Sequence, residues 1–166
     1  MELFGIIISI ILIIISLGTI SSVNLQHFDS TDISFDYPNE WYSISPNGTE
    51  QVFFAEKQLY SNRASCVIGV MPLSPRNDLD NESITYEQNE INYWNATRKS
   101  LDIVTVDGQR AYKLILDENN PKTGHIQIES IRFYKNNKSI VIKFESTNIN
   151  DIQKDIDLII RNFHVK

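Results

Sequence analysis

Three histidines, one cysteine and a short run of alternating carboxylates are the side chains in this sequence best suited to chemistry. Asp78-Leu79-Asp80-Asn81-Glu82 places acidic groups at alternate positions, as an oxygen-rich loop does around calcium. An EF-hand loop needs Gly at its sixth position and Glu at its twelfth, and Ser83 and Asn89 stand there. The stretch therefore reads as a solvated loop ahead of a helix. His27, His125 and His164 are scattered without zinc-ligand spacing and read as surface histidines. Cys66 is the sole thiol, so no intrachain disulfide can form. It lies in the apolar run Ser65 to Met71 with no histidine base nearby in sequence, which suits a buried small hydrophobe better than a nucleophile. Nucleophile-elbow, phosphate-loop and dinucleotide-binding glycine patterns do not occur. No catalytic, cofactor-binding or metal residue is assigned, and the expectation is a protein that is not an enzyme and carries no cofactor.

Four sequons offer modification chemistry instead, at Asn47, Asn81, Asn95 and Asn137. Glycosylation there would fit an exported domain. The Asn- and Ser/Thr-rich composition dilutes the signal, and Asn137 has a turn to explain it.

The chain has 166 residues, with 15 basic against 21 acidic side chains. Its negative charge disfavours nucleic acid and anionic membrane surfaces as partners. Leu3 to Ile20 is an uncharged run rich in Ile and Leu, about 27 Å long as a helix and close to the hydrocarbon core of a bilayer. Residues 1–23 are thus expected to be an N-terminal hydrophobic helix, either a transmembrane anchor held in the membrane through residues 3–20 or a signal peptide. The run exceeds an ordinary signal core, which favours the anchor, while Ser16 and Gly18, or Thr19 and Ser21, leave cleavage open. The expected location is the cell membrane with an extracytoplasmic domain, or secretion if the leader is removed.

Residues 24–166 form one domain, long enough to bury roughly two-thirds of its unfolded surface. Ile33, Phe35 and Tyr37 alternate with polar residues, and the Asp29–Asp32 turn folds Leu25–Phe28 back onto them. Gln51–Glu56 and Ala64–Met71 are further strands. Asp107-Gly108 and Asn136-Asn137 are type I′ hairpin signals. The first sets Leu101 opposite Leu114 and Ile103 opposite Tyr112 on one apolar face, with Asp102 and Lys113 paired on an exposed one. The second sets Phe133 against Ile140. A parity switch from Ile128 to Ile131 predicts a bulge near Glu129-Ser130. A first helix opens at Asn81-Glu82-Ser83 and runs to about Arg98, with Ile84, Ile91 and Trp94 on one face. A last helix shows Ile149, Ile152, Ile156, Ile159, Ile160 and Phe163 at helical spacing. The fold class is α+β, an antiparallel β-sheet of about six strands covered by helices.

Three segments in this order resemble PsbP-like proteins, relatives of the extrinsic PsbP subunit of photosystem II. They are Ile33–Trp41, with Tyr37, Pro38 and Trp41 forming a corner; the hairpin around Asp107, Gly108, Ala111 and Tyr112; and the closing helix ending at Asn162-Phe163. The resemblance implies a sheet sandwiched between helices, in prokaryotes usually secreted or membrane-tethered, with a mostly non-enzymatic accessory or binding role. The seven signature residues are expected to shape the fold. The functional expectation is a binding or scaffolding module at the outer cell face, with an unidentified protein or small-ligand partner. Two alternatives stay open: an extracytoplasmic small-ligand or metal binder, and a hydrolase with an unrecognised site.

Overall fold

The computed structural model describes residues 24–46, 50–60, 62–120 and 124–166. The leader and the Asn47 sequon lie outside the described residues. Among the described residues ten strands form two antiparallel sheets, more than the about six expected. The excess comes from short strands flanking turns. Strands β1 (Leu25–Asp29), β2 (Ile33–Pro38) and β10 (His164–Val165) make a small sheet in the order β1-β2-β10. The large sheet runs β3 (Trp41–Ile44), β4 (Gln51–Gln58), β5 (Arg63–Pro72), β9 (Lys138–Ser146), β8 (Gly124–Lys135), β7 (Gln109–Asn120), β6 (Ala96–Val106). Helix α1 is Leu79–Trp94. A 3₁₀ turn at Ile149–Ile152 leads into α2, Gln153–Arg161.

Both hairpin registers hold: Leu101 pairs with Leu114, Ile103 with Tyr112, Asp102 with Lys113 and Phe133 with Ile140. Positive φ at Asp107, Gly108, Asn136 and Asn137 gives the I′ turns the strand twist requires. The exposure assigned to the hairpin faces does not hold. Ile103 is 63% exposed, whereas Lys113 turns inward to an ion pair of 3.0 Å with the buried Glu129. The bulge expected at Glu129-Ser130 is absent too, since β8 pairs in unbroken register with both neighbours. β8 lies inside the sheet and is covered on both faces, so Ile128 packs under one layer while Ile131 and Phe133 pack under the other. A two-sided strand shows apolar residues at both parities without a break in pairing.

The inner face of the large sheet holds the main core. Ile68, Phe133, Ile140, Ile142 and Phe144 meet Ile152, Ile156, Ile159 and Phe163 of the closing segment and Ile33 and Phe35 of the small sheet. The Phe35 ring contacts both Phe53 and Phe163 there. The closing helix is amphipathic as its sequence requires, with Ile156 and Ile159 buried and charged residues outward. Trp41 is buried in this core, and its indole N–H donates to Asp155 Oδ2 at 2.9 Å. Lys57 Nζ donates to the same oxygen at 2.8 Å.

Candidate functional site

The signature residues fall in structural roles. Tyr37 and Pro38 are buried at the end of β2, Trp41 is locked to α2, and Ala111 packs in the inner core. The Asp107 carboxylate accepts from Val165 N at 2.7 Å and ion-pairs with Lys135 at 2.7 Å. Burial opposes its ionisation, but Lys135, the Val165 N–H and His164 together hold its acidity below the usual carboxylate range. The Tyr112 hydroxyl donates to Asp80 Oδ1 at 2.9 Å, which Arg110 also reaches at 2.9 Å. Asp80 therefore carries a hairpin clamp. Asp78 is the N-cap of α1, accepting from Asp80 N and Asn81 N.

The histidines are not brought together. His27 pairs with Asp36, His125 stands beside Asn119, and His164 meets Asp107. Among the described residues no group of three His, Cys, Asp or Glu side chains converges as a metal site. Cys66 is fully buried, and burial pushes its thiol up, away from nucleophilic use. Asn81 lies in the first turn of α1, Asn95 is its left-handed C-cap and Asn137 is in a hairpin turn.

The polar convergence lies on the outer face, beneath α1. This helix ends at Trp94, where Asn95 takes φ 56°, four residues short of the expected end. Its buried residue is Ser83, and Ile84, Ile91 and Trp94 do share a flank, but at 48%, 39% and 48% exposure they face away from the core. The helix thus straddles β7 with two unlike flanks. One, bearing Asp80, Ile84, Glu87, Ile91 and Trp94, runs along the β6–β7 hairpin: Asp80 reaches Arg110 and Tyr112 of β7, and Glu87 pairs with Arg98 of β6 at 3.3 Å. The other, bearing Glu82, Tyr86, Asn89 and Glu90, overhangs β8.

Under that second flank lies Arg132, from the outer face of β8. Its guanidinium stacks 4.0 Å from the centre of the Tyr86 ring. Its Nε is buried with no hydrogen-bond partner, and among the described residues no carboxylate comes within ion-pairing distance. Burial pulls its basicity below the ordinary arginine range, opposed at longer reach by Tyr86, Glu82 and Glu90. Burial likewise raises the Glu90 carboxyl, which stands beside the Tyr86 hydroxyl. Tyr86 and Arg132 form a wall between a cavity of about 560 Å³, bordered by Arg76, Asn77, Asn81 and Asn89, and one of about 240 Å³, bordered by Gln51, Val67, Val141 and Lys143. A buried cation without a counter-ion is costly. Here it faces open space lined by amides and by Arg76 and Lys143, with the carboxylates of Asp78, Glu82 and Glu50 also on the rim. Sequence reasoning missed Arg132 because it is a lone cation in a strand, and its burial depends on a helix packing over a face that the alternation does not mark as covered.

No family model matches the chain, and no curated protein matches it either. Solved structures do. Cyanobacterial PsbP from Synechocystis superposes with a TM-score of 0.64 at 14% identity, covering 90% of this chain and 96% of that one. LpqN, involved in cell envelope biogenesis of Mycobacterium tuberculosis, gives 0.60 at 9% identity, over 86% of this chain and 90% of its own. A protein of unknown function from Pseudomonas aeruginosa gives 0.52 at 9%, over 81% and 92%. The chain has the PsbP-like fold. Among the described residues no helix is long and apolar enough to cross a membrane.

Proposed function

We propose that the protein is an extracytoplasmic PsbP-like module, tethered by Leu3–Ile20, that acts by binding and not by catalysis. The likeness to an envelope protein and the apolar leader support that location. The observation that carries the binding function is Arg132, a mostly buried guanidinium stacked on Tyr86 with no ion-paired carboxylate among the described residues. A ligand carboxylate would supply the missing charge in a bidentate contact. Asn89 and the Asn81 carbonyl oxygen, whose amide nitrogen already donates to Asp78, would pair with amide groups of the same ligand, and Met71 and Val67 would cover an apolar part. The ligand class is a small amide-bearing carboxylate. Among the described residues the metal-binder alternative has no cluster to support it.

Hippurate, with a carboxylate, an amide and an apolar ring, is a suitable probe. Titrated into the full chain in detergent micelles, it is expected to shift the amide signals around Tyr86 and Arg132 saturably. Arg132→Met should abolish the shifts and leave the far-UV spectrum unchanged. Equal shifts in the variant, or none at about 10 mM probe, would remove the proposal.

A further inference from the structure

We propose that the free edge of β6 and the apolar flank of α1 together form a docking site for an extended segment of a partner protein, apolar at alternate positions and acidic at its two ends.

The backbone comes first. β6 is an edge strand of eleven residues, paired on one side to β7. In a two-residue hairpin the closing pair exchanges both hydrogen bonds, so Val106, Val104 and Asp102 bond inward to β7. Leu101, Ile103 and Thr105 consequently aim their N–H and C=O groups outward. The opposite edge, β3, is four residues long, and the first part of β6 is broken by a register shift between Arg98 and Ser100. The stretch 101–105 has no such protection.

The side chains of those same three residues lie on the outer face, beside α1. Leu101 is 36% exposed and Ile103 is 63%, and Ile84, Ile91 and Trp94 extend the apolar strip along the helix. A chain added to β6 would pair with Leu101, Ile103 and Thr105 through its own alternate residues. The side chains of those residues would then fall on the strip, as strand addition to a sheet edge requires. The occupant is therefore extended and apolar at every second position.

Its charge follows from the ends of the strip. Arg98 at one end and Arg110, paired across from Thr105, at the other are about half exposed. Each already has one internal carboxylate and keeps further donors for a second. Acidic residues at both ends of the segment complement them, although the chain as a whole carries a net charge of −6.

The test uses a labelled heptapeptide of alternating valine and threonine closed by glutamate at both ends, and a lysine-ended counterpart, with the full chain in micelles. Fluorescence anisotropy should show saturable binding of the glutamate-ended peptide below about 1 mM. Net charge alone would favour the lysine-ended peptide, so weaker binding of that peptide supports the site. Ile103→Pro removes one outward N–H and leaves the β7 ladder intact, and Ile103→Lys interrupts the strip at an exposed position. Each should weaken binding about tenfold or more. Unchanged affinity in Ile103→Lys, no binding to the wild-type chain, or a dimer in sedimentation equilibrium that Ile103→Lys dissolves would each overturn the proposal; the last would assign the edge to a second copy.

Discussion

Each face of the large sheet is crossed by one α-helix, but the two helices do opposite things. α2 presents its isoleucines to the inner face and its charges to solvent, and the contact is continuous with the aromatic cluster of the small sheet. α1 presents Ser83 and Tyr86 to the outer face and leaves Ile84, Ile91 and Trp94 half in solvent. The inner face buries mainly apolar surface, and its fully buried carboxylate, Glu129, has Lys113 at 3.0 Å to offset the cost. The outer face keeps a guanidinium without a counter-ion, a raised Glu90 and an exposed apolar strip. The lesson is a division of labour: burial on one face supplies the stability that lets the other hold groups poorly suited to folding.

The sharpest way to break that contrast is to truncate the inner face. Phe133→Ala should destabilise by about 3–5 kcal/mol, read from urea unfolding, because Phe133 is fully buried against Phe163. A loss under about 1 kcal/mol would mean the inner face is not where stability resides. The outer face should respond with the opposite sign. Arg132→Leu is expected to leave stability unchanged or raise it by up to about 2 kcal/mol, since it removes a desolvated charge that nothing in the fold neutralises. A clear loss would show that Arg132 is structural.

The smallest effect concerns pH and the hairpin that joins the ends of the domain. Asp107 is held below its unfolded acidity, so its contribution is present above about pH 4 and disappears as pH falls through its folded value. Asp107→Asn keeps a residue that tolerates positive φ but loses the charge. It should cost about 1 kcal/mol at neutral pH, and the gap to wild type should close in acid. A gap that persists unchanged at low pH would mean that the turn geometry, and not the ion pair, is what the substitution damages.

Local chemistry made much of the fold legible. Asp107-Gly108 and Asn136-Asn137 admit one tight hairpin each, and their registers follow by counting. Ile149 to Phe163 admits one helical stripe. What alternation could not reveal is coverage. β8 is buried on both faces, so its change of parity imitated a bulge, and the Leu101–Ile103 stripe imitated a core face although α1 leaves both residues partly in solvent. Tyr37, Trp41 and Gly108 were recognisable because turns and core corners are set by nearby residues. Arg132 and Tyr86 become neighbours only when a helix from residues 79–94 crosses a strand from residues 124–135.

The pairing of His164 and Val165 with Ser34 and Ile33 joins the tail of the polypeptide to one of its earliest strands. Phe163, which stacks on Phe35, enters the core with them. A growing chain therefore cannot complete its main core until residues 163–165 have been added. Under the export proposed above, this late closure would favour threading in an open state, with compaction following arrival.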